Sequence, residues 1–357
     1  MEYITLNNQV SMPILGLGTY QLKGESGIET IKNAINLGYT LIDTAQMYQN
    51  EREVGIAIKE SNVNRENLFI TTKICTPNTT YEKAEKAIDI SLKNLQTDYI
   101  DLLLIHEPYD TSTEMYKALE KAYKNGKIRA IGISNFNESE YLDFIGKCSV
   151  IPAINQVECH ILYNKKELQN TMKKYGTVLM GYSPFAQGNG NLFVDNDIMS
   201  IGKKYNKISS QVMLRYLIQR GIPTVPKASS VERLKENLDV FNFTLNDNDV
   251  QIINSKNQNK SFFGWDWVLN FVCGLIIYSV GKGENDKLGF VVLFDSFSKY
   301  GIVNEFTIPI TPSVFAYAKP PPSAREATRS VQFFNYVQTC KFVHITLGSL
   351  RRGSCRL

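Results

Sequence analysis

Histidine is scarce in this chain. Among 357 residues only His106, His160 and His344 occur, and a hydrolytic metal centre on a protein of this size generally needs several His and carboxylate ligands converging on one ion. His160 ends a different apolar run from His106, and His344 lies in the tail. No metal is expected. Cysteine is equally uninformative as a framework: Cys75, Cys148, Cys159, Cys273, Cys340 and Cys355 form no CxxC pair, a pattern of reduced thiols rather than of a disulfide scaffold. No GxGxxG or GxxxxGK[ST] stretch is present, which removes the glycine-rich phosphate cradles of Rossmann and P-loop proteins. The longest apolar segment, WDWVLNFVCGLIIYSV at 265–280, is 16 residues and falls short of the ~20 that span a bilayer. A buried helix or strand is expected there, and no membrane partner.

A concentration of positive charge is also missing from most of the chain. Residues 266–357 carry 10 Lys/Arg and 6 Asp/Glu, whereas residues 1–265 carry 29 of each sign. The formal charge of +4 therefore belongs to the tail, and the neutral body lacks the clustered cations that displace counterions from nucleic acid. The opening MEYITLNNQV has no basic region followed by an apolar core, so no secretory signal is read and a cytoplasmic location is expected.

The chain does have a regular alternation. Short β-rich runs at 14–19, 39–43, 68–73, 99–106, 128–134, 153–158, 177–183 and 222–227 are separated by amphipathic segments at 26–37, 51–60, 80–94, 113–124, 138–147, 164–174, 208–219 and 231–239, with apolar residues near i, i+3, i+4 spacing in the latter. Gly38, Gly126 and Gly176 stand where helices should end. Eight strand-then-helix units in about 250 residues predict a (β/α)8 TIM barrel, with a doubly wound sheet as the alternative. YITLNN and QVSMPI suggest a hairpin turning at Asn7-Asn8 that plugs the bottom of the barrel. The barrel is assigned residues 1–264. Residues 265–357 read as a C-terminal extension to which the sequence assigns no fold, expected to be poorly ordered, with a polar proline-fixed linker at 319–330 and a basic end, RRGSCRL.

In a barrel the strand C-termini face the loops where sites form. Asp43, Lys73 and His106 end the second, third and fourth apolar runs, and Tyr48 follows Asp43 in IDTAQMYQNE. Singly each has an ordinary reading: Asp43 caps a helix, Tyr48 and His106 pack half-buried, and Lys73 is a surface lysine. Together they suit proton chemistry. A phenol ionises near pH 10, and a neighbouring ammonium favours the phenolate. Lys73 could supply the cation, Asp43 could keep it charged, and a neutral His106 could orient a carbonyl oxygen while Tyr48 acts as general acid.

This set, within GYTLIDTAQMYQNE, TTK and LLLIHEP, resembles the catalytic tetrad of the aldo-keto reductase family, and GISNF (132–136), NQVECH (155–160), YSPF (182–185) and PKASSVERLKEN (226–237) continue the resemblance in order. It spans residues 3 to 264 and is strongest toward the short microbial aldehyde and diketone reductases. It implies a barrel that reduces aldehydes or ketones with NADPH, without metal or flavin, working on a small-molecule carbonyl as a monomer. It further implies that Ser134, Asn135 and Gln156 hold the nicotinamide carboxamide, that Tyr182 stacks on its ring with Ser183 adjoining, and that Lys227 and Arg233 clamp the 2′-phosphate with Glu236 and Asn237 toward adenine. Tyr20, His106 and Glu107 would border the substrate. Apart from the resemblance, Tyr182 could be core packing, and Ser134 or Asn135 a helix cap. Ser229 and Glu232 have capping-box spacing at the start of the segment bearing Arg233, whose amides would face an anion.

Three departures from the family pattern stand out, one of them the tail after residue 264, which does not resemble the family's usual C-terminal loop that helps shape substrate choice. Ala228 follows Lys227 where relatives often carry serine, removing one hydrogen bond to a phosphate. Glu107 follows His106 where many relatives have tryptophan, which points to small or polar carbonyls. A barrel that binds cofactor as a regulatory protein without turnover is the non-enzyme alternative, because fold alone does not fix function.

Overall fold

The eight-fold alternation is realised around a ring of short parallel strands. In the computed structural model, residues 1–263 are described, together with two later strands. The ring runs through β3 (Gly16–Gly18), β4 (Leu41–Asp43), β5 (Phe69–Ile74), β6 (Ile100–Ile105), β7 (Ile128–Ser134), β8 (Ile154–Glu158) and β9 (Val178–Tyr182), each parallel to the next. Between them lie α1 (Gly24–Asn36), α2 (Glu51–Glu60), α3 (Tyr81–Leu95), α4 (Ser112–Lys124), α5 (Glu138–Ile145) and α6 (Lys166–Lys173). The three helix-ending glycines adopt positive φ: 104° at Gly38, 76° at Gly126 and 77° at Gly176.

The eighth expected strand, 222–227, is reduced to a bridge. Thr224 pairs in parallel with both Leu15 and Gly181 and so closes the ring, helped by Gly16 N–H and Gly18 N–H donating to the carbonyls of Thr224 and Pro226. Pro223 and Pro226 have no N–H to donate, which interrupts the ladder without opening the barrel. Gly18 is required here, since a Cβ would lie 2.6 Å from the carbonyl oxygen of Val225.

After β9 the chain forms α7 (Asn196–Tyr205) and α8 (Ser209–Gln219), and after residue 227 it forms α9 (Val231–Leu238) and α10 (Asp247–Ser255). Helices α7 and α10 lie outside the predicted segments. Asp195 caps α7 through the amides of Asp197 and Ile198, and Asn246 with Asp249 forms a capping box on α10. The cap of α9 is Ser230, which accepts from Arg233 N–H, not Ser229. Asn137, in a capping box with Glu140, starts α5, so neither Ser134 nor Asn135 is its cap.

The hairpin forms from β1 (Tyr3–Thr5) and β2 (Ser11–Pro13), antiparallel with Thr5 opposite Ser11. Its turn is a wider loop than Asn7-Asn8 alone, closed by Leu6 N–H to the Val10 carbonyl with Gln9 at φ 68°. Leu6 and Met12 are fully buried against Leu41, Phe69, Leu102 and Met180 inside the ring, so the hairpin does plug the bottom. Met12→Ala is expected to cost about 2–5 kcal/mol of stability by chemical denaturation; a loss below about 0.5 kcal/mol would show that the plug is not part of the folded core.

The second unit of the chain, Val268–Leu357, contributes β10 (Leu275–Val280) and β11 (Gly289–Phe294), paired antiparallel from Leu275 opposite Phe294 to Val280 opposite Gly289. Part of the 265–280 apolar segment is thus strand, and among the described residues no helix is long and apolar enough to cross a membrane. The expectations for the 319–330 linker, the basic end and poor order fall outside the described residues.

Candidate active site

Period-two alternation decides which side chains reach the mouth of the barrel. Successive strand residues point to opposite faces. The interior is filled by Leu41, Phe69, Leu104, Ile154 and Met180, while Ile42, Ile70, Leu103 and Val157 face the helices. The next inward positions are Asp43 after Leu41, Lys73 after Phe69 and Thr71, His106 after Leu104, Gln156 after Ile154, and Tyr182 after Met180. Each of these polar residues stands at the carboxyl end of an inner row that is otherwise apolar, Thr71 before Lys73 excepted. All are buried except Tyr182, which is half-buried.

Tyr48 arrives from the loop after β4. Gln46–Tyr48 forms one 3-10 turn, stopped by Gln49 in the left-handed region. Buried Asn50 fixes the loop from behind: Thr44 Oγ1 donates to its Oδ1 at 2.8 Å, and its Nδ2 donates to the carbonyls of Thr19 and Leu22 at 2.8 and 2.9 Å. Glu51 accepts from Thr72 Oγ1 at 2.7 Å and from Asn94 Nδ2 at 3.2 Å. Asn50 and Glu51 thus account for the end of the IDTAQMYQNE run: they hold the turn that presents the phenol.

The four titratable groups converge. Lys73 Nζ lies 2.7 Å from Asp43 Oδ1, 2.9 Å from the Thr44 carbonyl and 3.5 Å from Tyr48 Oη. The His106 and Tyr20 rings meet Tyr48 edge-on, with centroids at 5.9 and 5.1 Å. Burial alone would depress the Lys73 ammonium, but the Asp43 carboxylate and the Tyr48 oxygen carry it above the ordinary lysine value. Burial pushes the Tyr48 phenol up; the Lys73 ammonium pulls it back only in part. The expected lowering by Lys73 is present, but desolvation outweighs it and the phenol stays protonated at neutral pH. Burial, then the Lys73 charge, holds His106 well below the usual histidine range, so its imidazole is neutral. Its Nδ1 is buried without a hydrogen-bond partner among the described residues.

Around this centre, Gln156 Nε2 donates to Asp43 Oδ2 at 2.7 Å, and Ser134 Oγ donates to the Gln156 carbonyl at 2.8 Å. Asn135, at φ 66°, donates through Nδ2 to the His106 carbonyl at 3.0 Å and accepts from Tyr182 Oη at 2.8 Å. Ser183, at φ 52°, turns the chain away immediately after Tyr182. One connected network therefore joins the phenol, the imidazole segment and the Tyr182 ring. A planar carboxamide suits it, since Gln156 Oε1 has no hydrogen-bond partner among the described residues.

Farther out, Lys227 and Arg233 are exposed, and neither is ion-paired among the described residues. Glu236 is exposed beside them on α9, but Asn237 is buried and turned toward the Tyr39 hydroxyl. Two unpaired cations beside a capped helix start fit an anionic group. Tyr20 is 45% exposed. Glu107 is only 3% exposed, and Tyr109 Oη donates to its carboxylate at 3.0 Å; burial raises Glu107 above the ordinary carboxylate range. Burial and the Glu107 charge push the nearby Cys75 thiol up to about 12. Tyr109 was not among the predicted site residues. Its spacing two after Glu107, on a loop, was the signal available.

The sequence and fold match known proteins. A family model described as Aldo/keto reductase family matches residues 14–258. The chain is 42% identical over 262 residues to a glyoxal reductase of Bacillus subtilis (strain 168), a match covering 72% of this chain and 94% of the relative. Its structure is similar to that of an aldo-keto reductase enzyme from a Medee basin deep-sea metagenome library, with TM-score 0.71 and 41% identity over 72% of this chain and 96% of that one. It is also similar to a Bombyx mori aldo-keto reductase in complex with NADP, with TM-score 0.70 and 32% identity over 75% of this chain and 96% of that one.

Proposed function

Because this chain belongs to the aldo/keto reductase family and is an NAD(P)H-dependent oxidoreductase, we propose that it reduces small aldehydes or ketones to alcohols with NADPH, taking the proton from Tyr48. The observation that carries this reading is the position of Lys73 Nζ, 2.7 Å from Asp43 and 3.5 Å from Tyr48. A reduced nicotinamide, when bound, supplies the hydride. Tyr48 Oη gives its proton to the carbonyl oxygen, and the Lys73 ammonium stabilises the phenolate left behind. Asp43 keeps Lys73 charged and fixes Gln156. Neutral His106 orients the carbonyl oxygen without competing for its proton. Ser134, Asn135 and Gln156 hold the carboxamide end, and Tyr182, with Ser183 adjoining, backs the ring.

The 42% identity to a glyoxal reductase supports small carbonyls. A cytoplasmic location belongs to this reading, supported by the unpaired thiols of Cys75, Cys148 and Cys159. The test is loss of NADPH absorbance with glyoxal and a panel of short aldehydes. Turnover is expected, whereas bound NADPH with no turnover on any of them would favour a regulatory protein.

Lys227 and Arg233 are read as the 2′-phosphate clamp, with Glu236 toward the adenine; Asn237 serves that side only by packing under the helix. The neighbour solved with NADP supports this class of cofactor. Losing one charged hydrogen-bond donor to phosphate weakens binding by roughly ten- to a hundredfold. Arg233→Ala should therefore raise the Kd of NADPH by about that factor while moving NADH by less than about threefold. Fluorescence titration with both cofactors checks it, and equal losses would discard the clamp.

A further inference from the structure

The mechanism leaves unused a buried acid at the end of β8. Glu158 is buried beside fully buried His160, whose Nε2 lies 3.0 Å from Glu158 Oε1. The same carboxylate takes Phe262 N–H at 2.8 Å on Oε1 and the Ser261 hydroxyl on Oε2. Burial works against the Glu158 charge, but these donors hold its carboxyl below the ordinary range, so it remains an ionised acceptor. Upstream, the amides of Gln258 and Lys260 reach the Leu162 carbonyl at 3.0 and 3.3 Å, and Asn257 Oδ1 accepts from Asn164 N–H at 3.1 Å. Residues 257–263 are thereby strapped across the loop that follows β8.

The strap ends against the Tyr182 ring. Phe263 stands perpendicular to Tyr182, at 89° with centroids 5.3 Å apart, and the Tyr182 hydroxyl is tied to Asn135, which in turn holds the His106 carbonyl. Tyr182 is thus fixed at its hydroxyl by Asn135, just after β7, and at its ring by the strap. We propose that Glu158, seated by His160, is a positioning residue: it pins Ser261 and Phe262 so that Phe263 holds the Tyr182 ring in place and closes the strap over bound cofactor. This rests on Tyr182 being the surface against which the nicotinamide lies.

The physical argument is one of rigidity. A half-buried tyrosine at a strand end keeps a stacking geometry only if both its ends are restrained, and an ionised acceptor receiving several donors at once holds the backbone of residue 262 more firmly than an amide could. An edge-on aromatic pair contributes enough that its loss changes affinity by roughly two- to tenfold.

Three variants of the full chain, Glu158→Gln, Phe263→Leu and Tyr182→Ala, together with the conservative Phe263→Tyr, test the proposal by NADPH fluorescence titration, stopped-flow NADPH release and amide hydrogen exchange at Phe262. Glu158→Gln should accelerate exchange at Phe262. Glu158→Gln and Phe263→Leu should each speed NADPH release by roughly two- to tenfold, with no further effect in the double variant, and Phe263→Tyr should restore the wild-type rate. If Tyr182→Ala weakens NADPH while Glu158→Gln and Phe263→Leu release it at the wild-type rate, the strap proposal is overturned alone. If Tyr182→Ala binds NADPH as tightly as wild type, the platform reading falls and the proposal with it. Unchanged exchange at Phe262 in Glu158→Gln also overturns it, whatever the release rates.

Discussion

Tyr48→Phe is expected to lower the rate of carbonyl reduction by about 10²–10⁴ while leaving NADPH affinity and folding stability close to wild type. Only the hydroxyl is removed, and its one hydrogen-bond neighbour among the described residues is Lys73 Nζ at 3.5 Å, a long contact whose loss costs the fold little. The ring stays wedged against Tyr20 and His106. Steady-state kinetics beside a fluorescence titration and a thermal melt separate the effects. Near-wild-type turnover would mean that another group supplies the proton.

Lys73→Met should affect both chemistry and stability. A unit charge about 4 Å from a developing phenolate is worth about 4 kcal/mol at an effective dielectric near 20, so turnover should fall by about 10³. The variant also leaves Asp43 as a buried carboxylate whose remaining side-chain donor among the described residues is Gln156. Breaking a buried pair by removing one partner costs about 3–5 kcal/mol. The two losses can be told apart. Adding Asp43→Asn removes the stranded charge and should recover much of the stability without recovering turnover. If the double variant recovered turnover as well, the ammonium would be structural and the chemistry would lie elsewhere.

Much of this site was legible in the sequence because strand phase is legible. Once Leu41, Phe69, Leu104, Ile154 and Met180 are assigned to the inner face, the polar residues that follow at even spacing have nowhere to go but the mouth of the barrel. The eighth run, 222–227, reads as a full strand in the sequence but forms only a bridge, because its prolines support the run's apolar character while removing the donors that would make it a ladder. Helix α7 escaped because it follows a loop rather than a strand, and α10 because it has no strand after it; yet Asp195 and the Asn246–Asp249 box were caps available to be read. The choice between Ser229 and Ser230 as cap turns on one residue of register, which spacing alone does not resolve. Asn237 shares a helix side with Arg233 and Glu236 but sits at its inner edge, against Tyr39.

The phenol's ionisation was the least legible property. Charge partners can be named from sequence, but desolvation depends on how completely the loop held by Asn50 closes over Tyr48. Here burial outweighs the ammonium, so Lys73 matters less for lowering the resting pKa than for stabilising the charge that forms as the proton leaves. Glu107 shows the same limit. Its carboxylate could be read as a substituent in the pocket, whereas Tyr109 takes it up as a hydrogen-bonded, buried partner.

The pH profile of single-turnover aldehyde reduction, recorded for wild type and Tyr48→Phe at saturating NADPH, tests the proton assignment most directly. With Tyr48 as donor, the wild-type rate holds through neutral pH and falls as rising pH ionises the raised phenol, and the slow variant shows no such alkaline fall. An alkaline fall of the same midpoint in both proteins would contradict it, because the group being titrated could not then be Tyr48.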